Sequence, residues 1–159
     1  YKTNYKCLMP TNTFGPNDNY DALNSHFLPA LIKKVHDLRL NNKKELIIWG
    51  NGLAKREVIY VDDLADACIF FMKKNFFGTT INIGSGKDFS IKEYAKKILN
   101  IIIPKKKIKI KYDLSKPNGT PRKVLDIKLA NKYGWRPKTK LDVAIKKTYK
   151  NFLENNKIV

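Results

Sequence analysis

The chain has 159 residues, of which 43% are hydrophobic and 29% are charged, and its formal net charge is +18. This hydrophobic content excludes an intrinsically disordered chain, and the apolar runs are too short to cross a bilayer, so no membrane partner is expected. The charge indicates either a nucleic-acid-binding surface or a lysine bias spread over solvated faces. Lysine pairs are distributed along the sequence without an aromatic-basic ribonucleoprotein motif, so we favour the second interpretation and expect no nucleic-acid partner.

The two cysteines, Cys7 and Cys68, lie in apolar stretches. Such cysteines are typical of buried thiols in a reducing compartment rather than of a disulfide framework. No charged and then apolar leader opens the sequence, and we expect a cytoplasmic protein. Because the sequence starts at Tyr1 and enters a strand almost at once, we also expect this chain to be the later part of a longer protein.

Strands and helices alternate along the sequence, which predicts the α/β class. In chain order they are a strand at 6–9, a helix at 25–40, strands at 45–49 and 57–61, a helix from 62 to about 74, a strand at 79–83, a helix at 91–101, a strand at 108–112 and helices at 126–132 and 141–154. Local signals mark several ends. Asp62 is expected to cap its helix, Ser90 and Glu93 form a capping box, and Gly134 is a stop signal.

The segment from Pro10 to Asn19 predicts a shaped loop after a buried strand, since it holds two prolines and one glycine. Ligands of open α/β sheets bind at such loops, beyond the carboxyl ends of strands. His26 follows at the start of a helix, and an imidazole can exchange protons near neutral pH. A lone histidine is more often structural, but this position favours a functional role for His26, whereas His36 lies within a helix and is interpreted as structural.

The turn Gly84-Ser85-Gly86 lacks the third glycine of a dinucleotide-binding fingerprint and the Gly-Lys-Ser/Thr ending of a phosphate-binding loop. It is interpreted as a turn after a strand. The histidines and cysteines show no paired spacing, so no metal site is expected.

Two other segments carry groups that suit a nucleotide. Trp49 precedes a glycine-rich turn and offers a flat apolar face, and Arg56 offers a planar fork for phosphate oxygens. The segment 116–123 places cations beside a rigid loop, which suits a diphosphate. Each feature alone is equally typical of packing or of an exposed turn.

Several motifs occur together in one order. They are Met-Pro-Thr-Asn at 9–12, Gly-Pro-Asn-Asp-Asn at 15–19, Asn-Ser-His at 24–26, Trp-Gly-x-Gly at 49–52, Arg-Glu at 56–57, Val-Asp-Asp-Leu-Ala-Asp at 61–66, Ser-Lys-Pro-x-Gly-Thr-Pro-Arg-Lys at 115–123 and Gly-Trp-x-Pro-Lys-Thr at 134–139. From about Asn4 to Asn155 the sequence closely resembles the GDP-L-fucose synthases, bifunctional epimerase/reductases of the extended short-chain dehydrogenase/reductase superfamily.

The resemblance implies the C-terminal portion of an extended Rossmann-type short-chain dehydrogenase with its smaller substrate-binding α/β domain. Residues 1–23 would end the cofactor-binding Rossmann domain. Residues 24–159 would form mainly the substrate-binding domain, with about 57–83 returning to the Rossmann sheet. This chain has no counterpart of the family's glycine-rich cofactor loop, its Ser and Tyr-x-x-x-Lys residues or its epimerisation cysteine, so we expect the chain alone to be inactive. The family is typically dimeric, and we expect the full-length protein to be a homodimer.

The resemblance also implies a reaction, the NADPH-dependent conversion of GDP-4-keto-6-deoxy-D-mannose to GDP-L-fucose. Two alternatives stay open: another NAD(P)-dependent nucleotide-sugar epimerase or dehydratase, and a basic nucleic-acid-binding module. The site residues carried over from the family are Pro10, Thr11, Asn12 and Thr13 beside the nicotinamide of NADP, His26 as the catalytic acid near that cofactor, and Lys34, Trp49, Arg56, Asn118 and Lys123 for the GDP-sugar. Asn118 stands where the family usually has aspartate. We expect His26, Trp49 and Arg56 to converge on one cleft.

Overall fold

The computed structural model of the chain describes residues 5–21, 24–75 and 80–155. Residue 79, predicted to start a strand, and residues 1 and 23, which bound the first predicted domain, lie outside these ranges. The described residues form strands β1 (Cys7–Pro10), β2 (Asn12–Phe14), β3 (Glu45–Trp49), β4 (Lys55–Tyr60), β5 (Thr80–Ile83), β6 (Asp88–Ser90), β7 (Lys109–Asp113) and β8 (Arg122–Lys123), and helices α1 (Phe27–Leu40), α2 (Val61–Lys73), α3 (Ile91–Ile102), α4 (Lys128–Lys132) and α5 (Leu141–Asn155). The predicted α/β class is confirmed.

The chain changes partner strand at Thr11. β1 runs parallel to β5, with Pro10 opposite Ile83, whereas β2 runs parallel to β4. The Thr11 N–H donates to the Ile83 carbonyl at 2.9 Å, and the next residue begins β2. The predicted loop is therefore wrong over 12–14, because β2 pairs with β4 and ends on the buried ring of Phe14, which packs edge-on against Tyr60 at 6.0 Å.

β4 is the central strand of a four-stranded sheet. It pairs with β2 on one side, with β6 in antiparallel fashion, and with the short strand β8 in parallel. β3 and β7 form a separate parallel pair of five residues each. Within the 55–83 segment, β4 pairs with β2 and β5 pairs with β1, in two separate sheets. The predicted return of 57–83 to the Rossmann sheet stays a prediction. The division into cofactor-binding and substrate-binding domains stays a prediction.

Two apolar clusters hold these elements. The larger one joins the buried faces of α1, α3 and α5 to β3 and β4, with Ile32, Tyr94 and Ile145 fully buried in it. The smaller one places Phe71 of α2 and Trp135 against β5. The predicted capping box is confirmed, since the Glu93 N–H donates to the Ser90 hydroxyl and the Glu93 carboxylate accepts from the Ser90 N–H.

Two local predictions are wrong. Asp62 does not cap α2, because β4 leads directly into the helix, Tyr60 occupies the cap position and Asp62 lies in the first turn. Cys7 and Cys68 are exposed rather than buried. Cys68 lies on the outward face of α2 near Ile69 and Met72, which are 53% and 69% exposed, so apolar neighbours in sequence do not imply a place in the core. In the described ranges no helix has the length and hydropathy to cross a bilayer.

Candidate functional site

The Pro10–Thr13 segment is tied to β4 by its own side chains. The Thr11 hydroxyl and the Asn12 amide both donate to the Glu57 carbonyl, at 3.3 and 2.9 Å. The Thr13 hydroxyl donates to the Thr11 carbonyl at 3.2 Å. Pro10, which has no N–H, ends β1 and is exposed. These bonds fix the carboxyl end of β1, the edge at which parallel sheets bind ligands.

His26 occupies the N-cap position of α1 in an extended conformation and is exposed. Its side chain makes no capping hydrogen bond, while its carbonyl accepts from the Ala30 N–H at 3.0 Å and so starts the helix. The imidazole is therefore presented to solvent from a rigid helix end. No described contact joins His26 to Trp49 or Arg56, and the predicted convergence of these three side chains stays a prediction.

Trp49 ends β3 with 51% of its surface exposed, and two ammonium groups approach its ring. Lys34 Nζ lies 5.0 Å from the ring centroid and Lys116 Nζ lies 5.6 Å from it, within the range of cation–π attraction. Lys34 and Trp49 also line a cavity of about 360 Å³. An exposed indole beside two cations suits a ligand that combines a planar ring with negative charge.

The charges of this cluster are balanced by Asp113, the last residue of β7. Burial lowers the pKa of Lys34, and the Asp113 carboxylate opposes that shift. The pKa of Asp113 is lowered chiefly by the hydrogen bond from the Ser115 hydroxyl, and further by Lys116 and Lys34. Lys34, Lys116 and Asp113 together thus carry one positive charge in excess, and the adjoining cavity is also lined by Lys43, Asp37 and Glu45.

Arg56 and Lys123 are brought together by the pairing of β4 with β8, in which they lie opposite each other. The guanidinium Nη1 of Arg56 donates to its neighbour's carbonyl at 2.8 Å and to the Thr120 carbonyl at 2.5 Å. Arg56 is thus held along the segment that leads into Lys123. Sixty-seven residues separate the two cations in sequence (123 − 56), and the parallel pairing is what makes them neighbours.

Asn118 uses its side-chain oxygen within the protein. Its Oδ1 accepts from the Asn51 N–H at 2.7 Å. Gly50 has φ +64°, and a Cβ there would clash with this oxygen. An aspartate, which the resemblance predicts at this position, would offer the same acceptor. The predicted nucleotide contact of Asn118 is not tested by this geometry, but its oxygen is already engaged.

Sequence reasoning missed the role of Glu57, which is fully buried. Its Oε1 accepts from the Gly86 N–H at 2.6 Å and its Oε2 from the Leu125 N–H at 2.7 Å. A Cβ at Gly84 would clash with the same carboxylate. Glu57 therefore holds the 84–86 turn and the segment after β8 against β4, beside Arg56. Because the donors are backbone amides, the only sequence signal was the Arg-Glu pair itself.

The acidic start of α2 also has a role beyond helix capping. Asp63, only 5% exposed, accepts from the N–H groups of Lys138 and Thr139 and from the Thr139 hydroxyl, each at 3.1 Å. Asp66 accepts from the Trp135 indole and the Lys138 ammonium, each at 3.0 Å, and these two bonds lower its pKa, Lys138 the more. The motifs at 61–66 and 134–139 thus bind each other.

A larger cavity of about 640 Å³ lies between β4, the turn at 85–89 and the segment 136–141. None of the predicted site residues lines it. The predicted substrate residues instead fall into two groups along the 115–123 segment. Lys34 and Trp49 lie beside Lys116, and Arg56 and Lys123 lie beside Thr120, while Asn118 contacts the turn between β3 and β4.

A sequence model of the NAD dependent epimerase/dehydratase family matches residues 1–84, more than half of the chain. The chain belongs to the NAD-dependent epimerase/dehydratase family. GDP-L-fucose synthase 1 of Arabidopsis thaliana is 41% identical over 147 residues, which cover 92% of this chain and 45% of that protein. GDP-L-colitose synthase of Yersinia pseudotuberculosis is 42% identical over 151 residues, covering 94% of this chain and 48% of that protein.

Among solved structures, a GDP-L-fucose synthetase from Naegleria fowleri bound to NADP superposes with a TM-score of 0.85 at 26% identity, covering 97% of this chain and 48% of that one. The chain spans about half the length of the curated relatives it matches. The resemblance to the C-terminal part of GDP-L-fucose synthases is confirmed, and so is the Rossmann-type fold class. The roles of the individual site residues stay predictions.

Proposed function

We propose that the full-length protein converts GDP-4-keto-6-deoxy-D-mannose to GDP-L-fucose with NADPH. The observation that carries this proposal is that Trp49, with Lys34 beside it, and Arg56, opposite Lys123, both contact the 115–123 segment. Together these residues offer a planar apolar face and several cations, the two features that a guanosine diphosphate requires. The similarity to GDP-L-fucose synthases over more than nine-tenths of the chain supports the same substrate.

NADP is the proposed cofactor, and the residues at the carboxyl end of β1 fit its nicotinamide end. Met9 is 50% exposed and Pro10 is exposed at the end of a parallel strand, so a flat ring can approach the backbone there. The Thr11 and Asn12 side chains are bound to the Glu57 carbonyl and keep this edge in place. Bound NADPH supplies the hydride for reduction of the C4 ketone.

The proposed acid–base role falls on His26. The C4 ketone acidifies the protons at C3 and C5, so a base can remove each proton and an acid can return it to the opposite face. An imidazole exposed at a helix start can donate such a proton, and this help is worth about 10²–10⁴-fold in rate. Arg56 and Lys123 would bind the diphosphate, so that remote binding energy positions the sugar ring.

The test compares the full-length wild-type protein with its His26→Gln variant, using GDP-4-keto-6-deoxy-D-mannose and NADPH. We expect epimerisation at C3 and C5, followed by NMR of the product, to slow by about 10²-fold or more, with GDP affinity within about threefold of wild type. Lys107→Ala, which removes an exposed lysine away from the site residues, serves as the control. Unchanged epimerisation in the His26 variant would refute its role, and no turnover by the wild type would refute the proposed function.

A second candidate is the same type of reaction on the substrate of a GDP-L-colitose synthase, favoured by the 42% identity to that enzyme. Product analysis with each GDP-4-keto sugar, and with UDP-sugars as the broader alternative, separates these possibilities. We also propose a homodimer in the cytoplasm for the full-length protein. Analytical ultracentrifugation and cell fractionation test these two points.

A further inference from the structure

The β7–β8 loop, residues 114–121, is fixed at both ends by backbone hydrogen bonds. At its start the Asp113 carbonyl accepts from the Gly50 N–H at 2.9 Å, and at its end the Pro121 carbonyl accepts from the Lys55 N–H at 2.8 Å. Gly50 and Lys55 flank the turn between β3 and β4. The loop therefore lies along that turn and could lift from it only in its middle.

Asn118 ties the middle of the loop to the turn. Its Oδ1 accepts from the Asn51 N–H at 2.7 Å, and the Asn51 side chain in turn accepts from the Leu53 N–H at 3.0 Å within the turn. Gly50 has φ +64°, and any side chain there would clash with the Asn118 oxygen and approach its Cα within 3.1 Å. The turn is thus shaped to receive this one side chain.

The tie has a consequence for Lys116, two residues earlier. Lys116 Nζ lies 5.6 Å from the Trp49 ring, and its N–H donates to the Asp113 carbonyl at 3.3 Å. The Lys116 N–H bond and the Ser115 bonds to Asp113 hold the start of the loop, but among the described contacts only Asn118 ties the loop to the turn between Lys116 and Thr120. With Asn118 free, the path of the chain beyond Lys116 would no longer be fixed, and the Lys116 ammonium would be held less firmly beside Trp49. Lys34, on α1, approaches the same ring from a rigid element and needs no such tie.

We propose that Asn118 is a positioning residue that locks the β7–β8 loop onto the β3–β4 turn, and that the lock holds Lys116 beside Trp49 as a further cation for the phosphates of the nucleotide. This inference rests on the proposed function, since it specifies how the same site binds a nucleoside diphosphate. A loop that is already ordered loses less conformational entropy when the ligand binds, and this improves affinity. Asn118 thus acts through Lys116 and not by contact with the ligand.

The first experiment measures amide hydrogen exchange at Asn51 in the full-length protein without ligand. The Asn118→Ala variant removes the acceptor, and we expect exchange at Asn51 to speed up by about tenfold, the scale of one hydrogen bond. Asn118→Asp keeps an acceptor oxygen and should restore protection. Unchanged exchange in the alanine variant, or no rescue by aspartate, would overturn the lock.

The second experiment is a double-mutant cycle on GDP affinity, measured by calorimetry for wild type, Asn118→Ala, Lys116→Ala and the double variant. We expect each single change to weaken GDP binding by about fivefold to tenfold, as for one exposed cation. The double variant should be no weaker than the single ones, because both remove the same ammonium from the site. Lys107→Ala controls for the loss of one lysine.

Multiplicative losses in the double variant would show that Asn118 does not act through Lys116 and would overturn the proposal. An Asn118→Ala protein that binds GDP as the wild type does would overturn it too. If the wild-type protein fails to bind GDP, the proposed function fails, and the exchange experiment still decides whether the lock exists. Unfolding curves recorded for each variant confirm that every affinity is measured on folded protein.

Discussion

Replacement of Glu57 by glutamine exchanges one buried acceptor for a donor. The Glu57 carboxylate is fully buried and accepts from two backbone N–H groups at 2.6 and 2.7 Å, with a longer bond of 3.5 Å from the Ser85 hydroxyl. In the Glu57→Gln variant one of those N–H groups faces an NH₂ group instead of an oxygen. A buried donor left without its partner costs about 1–3 kcal/mol, and the other hydrogen bond loses its charge, so we expect a loss of about 2–4 kcal/mol.

The assay is urea unfolding of the full-length protein followed by far-UV circular dichroism, with the midpoint as the readout. Glu45→Gln is the matched control, because Glu45 pairs with Lys111 at 2.7 Å on the surface, and loss of such an exposed pair costs less than about 1 kcal/mol. Neutralising a buried charge also removes its desolvation cost, which opposes the predicted effect. If the Glu57 and Glu45 variants shift the midpoint equally, the Glu57 carboxylate does not hold the 84–86 turn and the segment after β8 against β4.

Three further predictions concern other positions. Asp63→Ala removes the acceptor of three hydrogen bonds at 3.1 Å from a buried site and should cost about 2–4 kcal/mol, measured by thermal unfolding, and an unchanged midpoint would contradict the role of Asp63. Burial lowers the pKa of His36; Asp37 opposes this shift, and Lys33 and Arg39 add to it. The free energy of unfolding should therefore fall as the pH drops below about 6.5, because the unfolded chain takes up the proton more readily. Urea midpoints between pH 8 and 5.5 test this, and the His36→Gln variant should show a weaker pH dependence. Gly50→Ala should destabilise more than Gly134→Ala in thermal unfolding, since both have positive φ but only Gly50 faces a clashing neighbour.

The order of strands and helices could be predicted from periodicity and turn residues, because those signals are local. The strand at 45–49 has the predicted bounds, and the Ser90–Glu93 capping box forms as its spacing requires. The wrong predictions arise where tertiary pairing decides the outcome. Residues 12–14 lie in a stretch with two prolines and a glycine, which favours a loop, but pairing with β4 and the burial of Phe14 make them a strand.

The sequence supplied candidate ligand residues, whose roles stay predictions, but not the contacts that hold their segments in place. Trp49 and Arg56 were carried over from the family resemblance, because each alone is equally typical of packing or of an exposed turn. Glu57 and Asn118 accept hydrogen bonds from the backbone N–H groups of Gly86 and Asn51, which are distant in sequence. Every residue except proline has such a donor, so the sequence does not indicate which one is used. Asn118 lies 67 residues after Asn51, and Lys123 lies 67 residues after Arg56. These contacts could be predicted only from the pairing of β8 with β4.

The buried carboxylates also bear on how the basic charge of the chain is distributed. The sequence has 32 lysine and arginine residues against 14 acidic ones. Glu57 and Asp63 are fully or almost fully buried and bind backbone or hydroxyl donors, so they neutralise little of the surface. The general positive field therefore raises the encounter rate for any polyanion and falls with salt. Under the proposed function, selection of a nucleoside diphosphate would then depend on Trp49, Arg56 and the β7–β8 loop, which hydrogen bonds hold in place.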